Sequence, residues 1–124
     1  LQAMFLTRAE PASIGLSSIG SRLTPVAIDE EYGLYIRLTG EPGPNATTVK
    51  APIAPGTISE VEILDWRKIT PGEKIDINLQ SGTIALDGER EVELLPNRHV
   101  YASLSMDGPW VVDVPKAMLL AATR

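Results

Sequence analysis

At 124 residues, 44% of them hydrophobic and 22% charged, the chain has the makeup of one globular domain, residues 1–124, with a core of its own rather than of a disordered segment. A net charge of −5, with the lysines and arginines scattered, argues against a nucleic-acid or anionic-membrane surface. The absence of cysteine excludes disulfides and thiolate metal sites, and no apolar run approaches a membrane span or a signal peptide, so a cytoplasmic protein is expected.

Ten prolines and ten glycines cut the chain into short pieces and favour strands and turns. The first element expected is a helix opened by Pro11 at its first turn, because Ala12, Leu16, Ile19 and Leu23 recur at helical spacing. Thr24-Pro25 ends it. Leu34, Ile36 and Leu38 then alternate with Tyr35, Arg37 and Thr39, as in a half-buried strand. Gly40-Glu41-Pro42-Gly43-Pro44-Asn45 must be loop, and the Asn45-Ala46-Thr47 sequon is read as chance, because nothing else suggests secretion. Val61 and Ile63 mark another strand. Thr70-Pro71-Gly72-Glu73 is a turn with proline at its favoured second position.

The alternation of Ile75, Ile77 and Leu79 with Lys74, Asp76, Asn78 and Gln80 is the cleanest period-two segment. Ile84 and Leu86 lead into Asp87-Gly88, and Val92 and Leu94 lead out, which reads as a hairpin with a type I′ turn. Val100, Ala102, Leu104 and Met106 line one strand face, Asp107-Gly108 makes a corner, and Val112 and Val114 form a short last strand. A helix starts at Pro115 with Ala117, Leu120 and Ala121 on a shared face. The fold class expected is mostly β, an antiparallel β-sandwich of short strands with one N-terminal and one C-terminal helix. Because the chain opens at Leu1 and stops inside a helical pattern at Arg124, it is expected to be part of something longer.

Few side chains suggest chemistry. His99 is the single histidine; with no recognisable partner in the sequence it reads as a strand-end residue and not as the base of a Ser-His-Asp arrangement, and one histidine without cysteine cannot fill a tetrahedral zinc shell. There is no Walker loop and no dinucleotide fingerprint. Trp66 and Trp110 read as core or rim aromatics, with stacking on a base as the alternative. Glu30-Glu31, Glu60 with Glu62, and Glu91 with Glu93 read as solvated faces. Asp87 and Glu89 differ, since they flank a glycine that lets a ligand or another backbone approach. Such a corner is either a solvated hairpin tip or a place where one carboxylate deprotonates a hydroxyl while the other helps hold a divalent cation.

Three segments carry a family resemblance: Arg8-Ala9-Glu10-Pro11-Ala12-Ser13-Ile14-Gly15-Leu16-Ser17, Ala51-Pro52-Ile53-Ala54-Pro55-Gly56, and Ala85-Leu86-Asp87-Gly88-Glu89-Arg90-Glu91. In this order they resemble the C-terminal part of ATP-NAD kinase-like proteins of the AcoX type, named for acetoin catabolism and grouped with NAD, diacylglycerol and sphingosine kinases. The resemblance implies a two-domain protein. An N-terminal α/β domain with a Gly-Gly-Asp-Gly motif would hold the nucleotide phosphates, and a C-terminal β-sandwich would complete the cleft. This chain has no Gly-Gly-Asp-Gly and resembles only the second half. It implies ATP and Mg2+ as cofactors of the full-length parent and transfer to a small-molecule hydroxyl such as that of NAD. Glu89 would be the catalytic or metal-organising carboxylate, and Asp87 and Gly88 would contact nucleotide or substrate. The partners implied are the N-terminal kinase domain of the same protein and a further copy in a homo-oligomer, and the fragment alone is expected to be inactive.

Val49 to Ile58 followed by Ile69 to Ile75 is also similar to the opening of biotinyl or lipoyl carrier domains. Those modules carry an acceptor lysine on a hairpin tip, whereas the corners here carry Asp-Gly. A non-catalytic β module for assembly or ligand binding is the alternative to the kinase reading.

Overall fold

The computed structural model describes residues 1–26, 30–77, 82–86, 90–96 and 99–106. Among the described residues the fold is mostly β, built from small antiparallel sheets and one short helix. Strand β1 (Ala3–Leu6), helix α1 (Ser18–Leu23) and strand β2 (Gly33–Arg37) come first. They are followed by β3 (Thr47–Ala54), β4 (Thr57–Ile63) and β5 (Asp65–Ile69). The remaining described strands are β6 (Lys74–Asp76), β7 (Gly82–Leu86), β8 (Arg90–Leu94) and β9 (Tyr101–Ser103).

Strands β1, β2 and β5 form a three-stranded sheet with β2 in the middle. Its register sets what each face carries. Met4, Ile36 and Trp66 lie in one row, Phe5, Tyr35 and Arg67 in the next, because successive residues of a strand point to opposite faces. The first face, with Leu34, meets the β3–β4 hairpin and α1 in the main core of Met4, Ala9, Ile19, Val26, Leu34, Ile36, Ala51 and Ile63. The second face carries Tyr35 onto a smaller cluster of Ile69, Ile75 and Leu104. Phe5 stacks on Tyr35 with ring centroids 4.9 Å apart. Sheets stacked about β2 make the sandwich that alternation foretold.

The β3–β4 ladder holds an irregularity with a cause. Ala51 pairs with Ser59 and Ala54 with Thr57, so Pro52 and Ile53 together oppose Ile58. Two residues against one is a β-bulge, and a bulge is where a proline, having no N–H to donate, fits inside a strand. The freed Pro52 carbonyl accepts the Gly15 N–H at 2.9 Å.

That bond corrects the expected helix. Helix α1 spans only Ser18–Leu23, and Ala12 and Leu16 are exposed rather than on a buried face. Gly15 adopts φ +102°, outside helical geometry, and the Ser18 hydroxyl bonds the Gly15 carbonyl at 2.6 Å. The C-terminus is as expected: Thr24 caps the helix in an extended conformation ahead of Pro25.

The expected turn at residues 70–73 is present, with the Glu73 N–H on the Thr70 carbonyl at 3.2 Å and Gly72 at φ +83°. Loop 40–46 is also present. Asn45 donates its side-chain amide to the Trp66 carbonyl at 2.9 Å, a structural use for the sequon asparagine. Strands β1, β3 and β5 were not expected. The 75–79 alternation yields β6 as far as Asp76, and residues 78–81 lie outside the described set. The last expected strand, the Asp107-Gly108 corner, Trp110 and the C-terminal helix likewise lie outside it. No helix among the described residues is long and apolar enough to cross a membrane.

Candidate functional site

The hairpin expected around Asp87-Gly88 is formed by β7 and β8, with Gly82 opposite Leu94, Ile84 opposite Val92, and Leu86 opposite Arg90. The register amends its turn. Three residues connect the paired Leu86 and Arg90, one more than a two-residue type I′ turn leaves. Those three are Asp87, Gly88 and Glu89, the candidate site residues, and they lie outside the described residues. The arms that carry them are amphipathic. Ile84, Leu86, Val92 and Leu94 share one face, while Thr83 faces Glu93 and Ala85 faces Glu91 on the other. Leu94 is buried, whereas Leu86 and Val92 are 39% and 48% exposed.

Two of the three segments that carry the family resemblance meet in space. The 8–17 stretch reaches β3 through the Gly15–Pro52 hydrogen bond at the bulge. At that junction Ile14, Leu16 and Ile58 are all more than half exposed. The apolar exposure there, with no titratable group at the bond itself, is suited to packing and offers no acid–base chemistry.

Several other polar groups form local pairs. Arg67 is hydrogen-bonded to Glu73, and the Thr70 N–H reaches the other carboxylate oxygen at 3.2 Å. The Arg67 guanidinium is the main reason the Glu73 carboxyl lies below its ordinary range, and the Thr70 N–H adds to it. A hydrogen bond with Glu30 raises the Tyr32 phenol, and the same hydroxyl contacts the Pro25 carbonyl at 3.2 Å. Lys68 lies 4.4 Å from the Tyr32 ring centroid. These groups tie turns to strands.

Glu31, Glu60, Glu62, Glu91 and Glu93 are exposed, as read from sequence, with Glu60 opposite Lys50 across the β3–β4 ladder. Glu30 is half-buried and bonded to Tyr32. His99 is exposed two residues ahead of β9. Trp66 packs against the main core. The β3–β4 tip is Pro55-Gly56, with Lys50 well back in β3, so the acceptor lysine of a carrier domain has no counterpart on that tip.

A pocket of about 100 Å³ lies between Phe5, Leu6 and Thr7 on one side and residues 102–105 on the other, with Ile69 between them. It is well below the usual size of a ligand cavity, ~300 Å³ or more. Among the described residues, no three His, Cys, Asp or Glu side chains gather as a donor set for a metal ion.

Comparison with known proteins supplies the family. Residues 1–107 match the family model for the acetoin catabolism protein X C-terminal domain. Acetoin catabolism protein X of Cupriavidus necator is 38% identical over 118 residues, which covers 95% of this chain and 33% of that protein. The chain thus spans about a third of the length of the curated relative it matches. No solved structure matches it significantly. With nearly the whole chain covered by both matches, the chain belongs to the acetoin catabolism protein X family, and corresponds to its C-terminal domain.

Proposed function

We propose that this domain forms the acceptor side of a phosphotransferase cleft, helping to transfer a phosphoryl group from ATP to the hydroxyl of a small molecule such as NAD. The observation that carries the reading is the β7–β8 hairpin: two paired strands bring the Asp87-Gly88-Glu89 connection between Leu86 and Arg90. Phosphoryl transfer needs mainly positioning and charge neutralisation, so a short acidic connection between fixed strands suits the task. Glu89 would accept the proton of the attacking hydroxyl. Asp87 and the Gly88 backbone would contact nucleotide or substrate.

The nucleotide grip and the cation are assigned to the parent protein beyond this chain. The described residues offer no donor set for Mg2+. The partner required is an N-terminal α/β kinase domain of the same protein, which fits the one-third coverage of the curated relative. A cytoplasmic setting belongs to this reading, since ATP and NAD are consumed there.

The test is Glu89→Gln in the full-length parent, which keeps the shape and removes the charge. Turnover should fall by about two orders of magnitude with an unchanged melting temperature. Wild-type turnover would reduce the connection to a plain hairpin. A second reading, a non-catalytic module for assembly, is favoured by the exposed apolar residues of the same hairpin. It predicts a parent whose melting temperature is indifferent to ATP, NAD and Mg2+, since a ligand of the native state must raise it.

A further inference from the structure

The end of β1 and the segment after β9 leave a gap where they meet. Phe5 lies on the sheet face that carries Tyr35, and Ile69 lies on the same face opposite Gly33. Gly33 has no side chain, and a Cβ there would stand 3.4 Å from Ile69 Cγ1, so Ile69 leans over the space that the glycine leaves. Across from them β9 is paired with β6, and the Leu104 carbonyl accepts the Gly72 N–H at 3.1 Å. The pocket of about 100 Å³ lies between the two sides. The buried part of its lining is apolar, at Ile69 and Leu104, and Phe5, stacked on Tyr35, gives it an aromatic wall. Thr7, Ser103 and Ser105 are exposed at its rim, and among the described residues no charged side chain lines it.

We propose that this pocket binds a small uncharged alcohol or ketone of about four carbons, its hydrocarbon part on Ile69 and Leu104 and its oxygen at the Thr7 and Ser103 hydroxyls. Three features select that class. Size is the first: an apolar cavity of about 150 Å³ takes a benzene ring, so about 100 Å³ suits fewer carbon atoms and is far too small for a nucleotide. Charge is the second. With no counter-charge in the described lining, a carboxylate or an ammonium group would give up its hydration without compensation. The hydroxyls are the third, because each can donate to a carbonyl or accept from an alcohol, which a plain hydrocarbon would leave unused. Water in such a pocket touches mostly carbon, so a ligand of this kind displaces it readily. The inference is independent of the phosphotransferase reading, since the described lining includes no residue of the β7–β8 hairpin.

Titration of the isotope-labelled 124-residue chain with 2-butanone, followed through its amide NMR signals, is the test. Saturable shifts centred on residues 5–7, 69 and 102–105 are expected, with a dissociation constant of about 1–10 mM for so few atoms. Butyrate, of similar size but charged, and cyclohexanone, with the same carbonyl on a larger body, should each bind about tenfold more weakly or worse. Ala102 also lines the pocket, so Ala102→Leu should fill it and abolish the shifts. Thr7→Val with Ser103→Ala, both at exposed positions, should raise the dissociation constant about fivefold and leave the fold intact. Shifts that grow without saturation up to ~100 mM, shifts spread over the whole chain, or equal binding of butyrate would overturn the proposal. So would wild-type affinity in either variant; should Ala102→Leu fail to fold, the hydroxyl pair decides alone.

Discussion

Glu73 illustrates how single residues fasten this fold. It closes the turn through the Thr70 N–H and holds Arg67 on β5, so one carboxylate fastens the turn by which the chain passes from β5 to β6. Its folded pKa lies below the ordinary 4.5, so this contribution is complete above the unfolded value and fades as pH falls through the folded one. Glu73→Gln should therefore lower stability slightly at neutral pH and flatten its acid limb, so that the two proteins converge as pH falls through the folded value, as thermal melts across pH would read. Gly33 is a second such position. A Cβ there would lie 2.8 Å from the Leu6 carbonyl oxygen, a backbone atom that cannot step aside. Gly33→Ala should cost about 1–3 kcal/mol in denaturant unfolding. At this scale the sequence was readable where the cause is local. The 70–73 turn needs only Pro71 and Gly72, whereas the departure of Gly15 from helical geometry depends on a carbonyl 37 residues away and left no mark on the local pattern.

Elements with clean alternation were legible, and those formed by their neighbours were not. Strand β2 announces itself by Leu34 and Ile36, both fully buried in the main core. Ile36→Ala should cost about 2–5 kcal/mol, whereas Val92→Ala, on an exposed hairpin face, should stay within ~0.5 kcal/mol; paired chemical denaturation would show the contrast. Strand β5 hides behind three charges in five residues, and it is a strand because its backbone pairs with β2 from Gly33 to Arg37. Strand β3 hides behind Pro52, which the bulge accommodates. The family-bearing segments 8–17 and 51–56 were visible as sequence, but their junction through Gly15 and Pro52 is a tertiary fact. Of the candidate site, the two arms and their pairing were foreseen, while the number of connecting residues was set by the Leu86–Arg90 pairing.

Among the described residues, apolar burial is divided unequally between two clusters on opposite faces of one sheet. The larger joins β1, α1, β2, β3 and β4, while the smaller rests on Ile69, Ile75 and Leu104 beneath Tyr35. A three-residue ladder between β6 and β9 over so small a cluster has little to resist separation, so this face should come away first while the larger cluster keeps its shape. Brief trypsin treatment of the chain should accordingly cut after Lys74 and Arg90 well before Arg37 and Lys50, as mass spectrometry of the first fragments would reveal. The domain would then behave as a durable platform with a loosely hinged annex. Sequence change or a docking surface could be accommodated on the annex at small cost to the platform beneath it.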